Sequence, residues 1–559
     1  MSKINPKRAY AKEIIESFSR IGARGMDTPI NFRIREDGSL EKRCGWRVYE
    51  TFSQGTVRGV WQGVLNGVSL RFVVCGTNIL LIRSSGRVSV GSLATASGSV
   101  SFFVYQNALY LMDGQKLRVW DEGKKLFRVA EGYAPLYGTN WDPTRYGDVN
   151  EDLNLFSNRL RIHYHTNEPA TQFMLPFYAE SIDHVKANGV TTTAYTFSST
   201  LDSITLEQAA KSVEIAFTIY LDNESMENLH AVTQALPTYL GSAEQLLLYG
   251  APRGQYLYTG KKVTEVMHAA SRSCYANSDP LYFRERDVMI IGNNENPITT
   301  VCRDSQRLLA FHPSGVSAIY FPVDEEPTYY ALSTIPGCTV RGMDISVGGD
   351  RYVLNRSGFF RLVQDSGAPD GLQAIPLGLP IPTDDPALLS RLSAAYDPVH
   401  SEIWLYDPTD TTAYVYVYHP LTKQHYRFDN VPAVSTLTLD GRFGFLFNQS
   451  ICVFEENLKT DRGLTFEATV TTDWLHFGTP EMKKRSLRAS LLAYDANGLR
   501  LTLESEHRSC RISHAADAFS GHFWDTRVPI GRFRTVRAVI RDVGQERPRI
   551  VRLALYANL

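Results

Sequence analysis

Residues 101–129 decide the fold. They read Ser101-Phe102-Phe103-Val104-Tyr105, Ala108-Leu109-Tyr110-Leu111, a turn at Asp113-Gly114, Leu117-Arg118-Val119-Trp120, a turn at Asp121-Glu122-Gly123, then Leu126-Phe127-Arg128-Val129. Runs of four or five apolar and aromatic residues cut by Asp-Gly turn signals are too short for helices. They match four antiparallel strands joined by tight turns. Four strands in about thirty residues is the unit from which a propeller blade is made.

The same rhythm recurs along the chain. Val57 to Leu93 is a second such unit, with Asn66-Gly67 as its hairpin signal. Leu392 to Asp429 carries Ala394–Asp397, Glu402–Tyr406, Ala413–Tyr418 and His425–Phe428, separated by Asp-Pro, Pro-Thr-Asp and Pro-Leu-Thr-Lys turns. Further units fall at Ile298 to Phe321, at Met343 to Leu362 and at Val434 to Phe454, while Leu246–Tyr249 and Tyr256–Tyr258 supply shorter strands. No Gly-His…Trp-Asp signature accompanies them, so the repeat is one of shape. The expectation is an all-β chain, a β-propeller of six or seven blades.

Three segments break the rhythm. Asn5-Pro6 followed by Tyr10, Ile14 and Phe18 reads as a short N-terminal helix, with Asn as cap and Pro at its first position. Residues 166–240 hold strands with Asn188-Gly189 as one turn and a short helix over 223–236. Seventy-odd residues cannot be a structureless loop, so they predict an inserted small β-rich domain. After Leu464, alternating strands over 466–471, 474–477, 487–494, 499–504, 535–540 and 550–556 predict a C-terminal β-sandwich. The expected domains are 1–45 (helix and lead-in), 46–165 and 241–463 (propeller), 166–240 (insertion) and 464–559 (sandwich).

Composition fits a folded core, with 43% hydrophobic and 21% charged residues among 559. The net charge of −1 invites no nucleic acid by itself. It is unevenly spread: residues 483–559 carry 15 Lys and Arg against 7 Asp and Glu, a surplus of +8, leaving −9 for the rest. Seven scattered cysteines without a C-x-x-C pair fit neither a zinc ribbon nor a disulfide framework. They read as buried thiols in a reducing compartment. No stretch of about 18 apolar residues predicts a membrane span, and the first residues lack the apolar run of a secretory signal.

Catalytic signatures are missing. The sequence holds no H-E-x-x-H, no phosphate-binding loop and no G-x-S-x-G. His163 and His165 share one strand face but lack an evident third metal ligand. Asp397, Asp407 and Asp410 resemble a glycosidase carboxylate set in type alone; their Asp-Pro and Thr-Asp-Thr contexts favour turn capping. Thr438-Leu439-Asp440-Gly441 approaches a sialidase box once, without its Trp. No cofactor, metal or catalytic residue is expected. The basic residues Lys483, Lys484, Arg485, Arg488, Arg532 and Arg534, with Arg527, Arg537 and Arg541, are candidate phosphate or subunit contacts. Thin aromatic interleaving (Phe523, Trp524, Phe533) argues against single-strand stacking.

The lead-in Asn31-x-Arg33-x-x-x-Asp37-Gly38-x-Leu40-x-Lys42-Arg43-x-Gly45 resembles the opening of the tail nozzle proteins of short-tailed bacteriophages, also called tail tubular B-type or packaged-DNA stabilisation proteins. Several later pieces follow in the same order. They are Arg58-Gly59, Tyr133-Ala134-Pro135, Asn154 to Leu160, an insertion, Asp279-Pro280 before Leu281-Tyr282-Phe283, Ile291-Gly292 with Pro297-Ile298-Thr299, and Thr472-Asp473-Trp474-Leu475-x-Phe477-Gly478. Cys44 departs from the pattern, standing where the family usually has Pro. The resemblance implies a virion protein assembled in the host cytoplasm. It would be a ring, a homo-hexamer, below portal and adaptor proteins and beside fibre, spike or needle proteins, passing double-stranded DNA without enzymatic activity. Six-fold repetition turns one lumen lysine into six, and each phosphate contact costs about 0.9 log unit of salt-dependent affinity. A conduit therefore suits an acidic or neutral bore. The alternatives are a glycan- or receptor-binding propeller and, last, a propeller glycoside hydrolase.

Overall fold

The structure is a computed structural model, and it describes residues 10–15, 28–143, 145, 147–220, 224–240, 243–250, 252–260, 280–293, 295–305, 307–321, 327–478, 480–513 and 522–558. Strand makes up 56% of it and helix 3%, so the chain is all-β. It divides into two compact units, residues 58–333 and residues 1–57 with 334–559.

The unit of residues 58–333 contains four sheets in which four consecutive strands pair in chain order. The first runs Val57–Leu65, Val68–Cys75, Asn78–Arg83 and Gly86–Ser92; the second Ser101–Tyr105, Ala108–Met112, Leu117–Asp121 and Leu126–Val129. The third is Gln234–Leu240, Ala243–Tyr249, Tyr256–Thr259 and Val288–Ile290, and the fourth Thr300–Asp304, Arg307–His312, Gly315–Tyr320 and Thr328–Leu332. Their middle strands each carry a short run of buried residues, covered on both faces. Phe72, Val73, Val74 and Cys75 are all fully buried. Phe72 packs with ring centroids 4.9 Å from Trp120 and 5.1 Å from Phe127, joining the first two blades.

Between the second and third blades stands a seven-stranded sheet reaching from Leu136 to Ile219. The insertion thus starts some thirty residues before the expected position 166 and ends before 240. Two long strands cause this. Arg159–Met174 and Ser203–Ile219 pair antiparallel from Arg159↔Thr218 to Met174↔Ser203, and Leu136–Trp141 joins parallel to the first of them. Residues 159–165 look like a blade strand locally, and only the pairing moves them. The helix is limited to Glu224–His230, because Gln234–Leu240 pairs with Ala243–Tyr249 as an edge strand that tolerates Pro237.

The other unit holds three further meander sheets: Ile345–Val347 to Leu372–Pro376, Ser393–Asp397 to Gln424–Phe428, and Ser435–Leu439, Arg442–Phe447 and Ser450–Phe454. The last takes its fourth strand from Trp46–Thr51, paired antiparallel from Phe454↔Trp46 to Ser450↔Thr51. That pairing covers an edge that would otherwise present open hydrogen-bonding groups. The described residues thus hold seven four-stranded meander sheets of blade type, four in one unit and three in the other, and the fold class is the β-propeller.

The same unit carries the sandwich. One of its sheets combines Phe32–Ile34, Leu40–Lys42, Arg549–Asn558, Ser486–Tyr494 and His522–Val528; the other combines Ala468–Thr471, Val536–Asp542, Leu499–Ser505 and Ser509–Ser513. Phe32, Leu40, Leu491, Leu503, Ile540 and Leu553 form its core. The lead-in 1–45 is therefore no separate domain, since its hairpin is part of this sheet. Nor is Tyr10–Ile15 helical: it is a strand on Arg549–Asn558, in register from Tyr10↔Asn558 to Ile15↔Leu553. A spacing of four satisfies a two-residue repeat as well as a helical one, and pairing with the last strand decides between them. Residues 5–9 and 16–18 of the expected helix lie outside the described residues.

Candidate functional site

The hairpin Phe32–Ile34/Leu40–Lys42 turns at Asp37-Gly38. Asp37 Oδ1 accepts from the Ser39 amide (3.0 Å) and hydroxyl (2.6 Å), Gly38 adopts φ +80°, and Arg549 pairs with Asp37. This turn delivers three cations into the interior. Arg33 Nε donates to Glu402 Oε1 at 2.6 Å and Nη2 to Oε2 at 3.2 Å, while Trp404 Nε1 (3.1 Å) and Tyr426 OH (2.7 Å) fill the remaining lone pairs of Glu402. Burial disfavours both charges, yet each holds the other: Arg33 lies well above its ordinary pKa and Glu402 below its own. Lys42 Nζ meets Asp542 Oδ2 at 2.8 Å and the Gly544 carbonyl at 2.9 Å, and burial pushes the Asp542 carboxyl upward.

Arg43 is the centre of the network. Its guanidinium forks onto Asp461 (Nη1–Oδ1 2.9 Å, Nη2–Oδ2 2.6 Å), donates to Asn31 Oδ1, Cys44 O and Asp429 O, and lies 4.0 Å above the Phe466 ring. Asn31, at φ +58°, also donates to Glu467 O at 2.6 Å and accepts from the Asp429 amide at 3.1 Å. A Cβ on Gly45 would overlap the Thr460 carbonyl. Thus Asn31, Lys42, Arg43 and Gly45 tie the hairpin to the last two blades and the sandwich.

Beside this network opens a cleft of about 460 Å³, lined among others by Arg33, Arg35, His400, Glu402, Tyr426 and Arg547. His400 stands in its wall. Its Nδ1 lies 2.5 Å from Asp397 Oδ2, and its Nε2 2.7 Å from Glu456 Oε1 and 4.0 Å from Cys44 Sγ. Burial and Arg33 oppose charge on the imidazole, but Asp397 and Glu456 outweigh them and lift its pKa to about 11. The hydrogen bond from His400 holds Glu456 well below the usual carboxylate range. Burial raises the Cys44 thiol, whereas Arg33 and His400 bring it down below its ordinary value. Two sets of three metal-ligating atoms occur here, Cys44/His400/Glu456 and Asp397/His400/Glu402.

The predicted basic contacts divide. Lys483, Arg485, Arg488, Arg527, Arg532 and Arg534 are exposed on the sandwich. Lys484 is not: its side chain is fully buried and donates to the Arg534 carbonyl at 2.8 Å, so it is withdrawn as a phosphate contact. Arg537 pairs with Glu504 at 2.8 Å under Trp474, and Arg541 pairs with Glu467. Asp397, Asp407 and Asp410 all cap turns, accepting from the amides of Val399, Thr409 and Thr412. His163 bonds the Ser212 hydroxyl at 2.9 Å, and neither it nor His165 joins a three-ligand cluster among the described residues. Sequence reading missed His400, Glu402 and Glu456. The one local signal was the Asp397-Pro398-Val399-His400 turn; its link to Cys44 spans 356 residues.

No protein-family model and no curated protein matches the chain. Among solved structures it is similar to YCF48 bound to D1 peptide (10% identity, 74% of this chain and 96% of that one, TM-score 0.31). It is also similar to a protein described as a glycoside hydrolase (10%, 89% and 98%, TM-score 0.24) and to an exo-β-1,3-galactanase from Phanerochaete chrysosporium (8%, 95% and 100%, TM-score 0.23). The chain spans 60% of the extracellular domain of a putative one-component system from B. thetaiotaomicron, with a TM-score of 0.27. These likenesses concern fold and assign no activity. They do correct one expectation: with hydrolases among the matched structures, the chain is not excluded from being an enzyme. No helix among the described residues is long and apolar enough to cross a membrane.

Proposed function

We propose that this chain is a nozzle-type tail protein of a short-tailed bacteriophage, a ring-forming wall element that extends the DNA channel below portal and adaptor and retains the genome until ejection. The observation that supports it is the use made of the family-like lead-in. Asn31, Lys42, Arg43 and Gly45 are buried and each braces hairpin, blades or sandwich. A resemblance carried by architecture-fixing residues brings the architecture with it, and a conduit works through stiffness. Strands 46–51 cover the edge of the last blade, which keeps that edge from pairing with stray chains. On this reading the exposed Lys483, Arg485, Arg488, Arg532 and Arg534 meet a neighbouring subunit or the DNA. Mass spectrometry of purified virions, with native mass measurement of the recombinant ring, tests the proposal. A chain absent from particles refutes it.

A second reading is favoured by the cleft, whose arginines, carboxylates and Tyr426 suit a polyhydroxylated or anionic ligand. This is a glycan- or receptor-binding propeller, with hydrolysis as its extension. Glycan-array binding that is lost on Arg547→Ala, or release of sugar from host surface polysaccharide, would favour it over the nozzle.

A further inference from the structure

We propose that Cys44, His400 and Glu456 form a transition-metal site of the Zn²⁺ class in the wall of the cleft, with Asp397 orienting the histidine. The donor atoms of the three residues lie within 4.8 Å of one another, His400 Nε2 being 4.0 Å from Cys44 Sγ and 2.7 Å from Glu456 Oε1. Zinc bonds of about 2.3 Å to sulfur and about 2.0–2.2 Å to nitrogen and oxygen set tetrahedral donor separations of roughly 3.3–3.6 Å. To reach that geometry the His400–Cys44 separation shortens by about 0.5 Å and the His400–Glu456 separation lengthens by about 0.6 Å, with Cys44 and Glu456 starting inside 4.8 Å. Glu456, its side chain 63% exposed, makes its own share of that movement, while the approach of sulfur and imidazole is made by Cys44 and His400 themselves.

The donor set itself and two features beyond it point to a metal. Asp397 accepts from the amides of Val399 (2.8 Å) and His400 (3.2 Å) and fixes His400 Nδ1 at 2.5 Å. This is the carboxylate–histidine arrangement that commits the other ring nitrogen to a ligand. The donor set, one thiolate, one imidazole and one carboxylate, selects zinc-like ions over Mg²⁺ or Ca²⁺. Finally, His400 and Glu456 both line the cleft, so a fourth position faces a space able to hold water or a small ligand, as in open three-ligand zinc sites. Arg33 Nη1, 3.4 Å from Cys44 Sγ, favours the thiolate, and its own charge is already matched by Glu402. Loading releases the proton on His400 Nε2 and any proton on the thiol, one metal–ligand bond replacing each.

The test uses the full-length chain, stripped with chelator and titrated with Co²⁺ and then Zn²⁺. The expected result is one equivalent per chain, with tetrahedral cobalt bands and a thiolate-to-cobalt charge-transfer band that Zn²⁺ abolishes. Cys44→Ser removes the charge-transfer band. Cys510→Ser, at a half-buried thiol elsewhere, leaves it unchanged. Glu456→Gln, at an exposed side chain that does not threaten folding, weakens binding at least tenfold, and Asp397→Asn weakens it about 10–100-fold. Absence of a stoichiometric cobalt complex, or a band indifferent to Cys44→Ser, overturns the site and leaves an ion-pair cluster.

Discussion

Arg43→Ala removes the guanidinium that neutralises Asp461 in a place water does not reach, both side chains being at most 1% exposed. Breaking a buried pair from one side costs about 3–5 kcal/mol, because the partner is left charged and unmatched. Here Asp461 keeps two neutral donors, Asn430 Nδ2 at 2.9 Å and the Trp46 amide at 3.3 Å, which limits the loss. Against that, the Asn31, Cys44 and Asp429 oxygens also lose a donor, and the contact with Phe466 disappears. The expected cost is about 4 kcal/mol. The double variant Arg43→Met/Asp461→Leu removes both charges and is expected to recover at least about 2 kcal/mol relative to Arg43→Ala. A chain of two units does not unfold in one step. The assay is therefore native-state hydrogen exchange, read on peptides covering 40–50 and 455–470. A cost below about 1 kcal/mol for Arg43→Ala, or a double variant no better than the single, would refute the network as the brace of this unit.

Other expectations follow from the same physics. His230, beside Phe156 and accepting from the Leu117 amide at 3.3 Å, is pushed down to about 4 by burial and by Lys116 and Arg118. The unfolded imidazole titrates near 6.5, so its contribution is complete above about pH 6.5 and is lost as pH falls toward 4. The loss is at most about 3 kcal/mol at 1.36 kcal/mol per pH unit. His230→Gln should flatten the acid limb of the thermal-stability profile of residues 58–333, and an unchanged limb contradicts the assignment. Gly45→Ala forces the Thr460 backbone to move and should cost more than about 2 kcal/mol, whereas a wild-type-like exchange pattern would mean the loop yields freely. Lys483→Ala and Arg485→Ala should stay within about 0.5 kcal/mol of wild type, but Lys484→Ala should lose more than about 1 kcal/mol by orphaning the Arg534 carbonyl. If the exposed set touches DNA, each removal also lowers the salt slope of binding by about 0.9; an unchanged slope assigns those residues to protein contacts.

What the chain order made legible is local. Four short apolar runs separated by Asp-Gly, Asn-Gly or Asp-Pro turns specify a meander sheet wherever they occur, since strand period and turn chemistry act within a few residues. That is why 57–92, 101–129 and 393–428 were readable as blades, and why Asp397, Asp407 and Asp410 were readable as turn caps. Tertiary structure decided whatever depends on a partner far along the chain. Trp46–Thr51 becomes a blade strand only because Ser450–Phe454 offers an open edge. Tyr10–Ile15 is a strand only because Arg549–Asn558 receives it. Lys484 and Lys483 are indistinguishable in sequence, but the bridge of Lys484 to Phe533, far along the chain, accompanies the burial of one while the other stays exposed. Arg43 finds Asp461 across 418 residues, and Cys44 meets His400 across 356. Buried charges must be matched to persist, yet no local rule names the match, because it is chosen by where the packed sheets bring the two ends of the chain together.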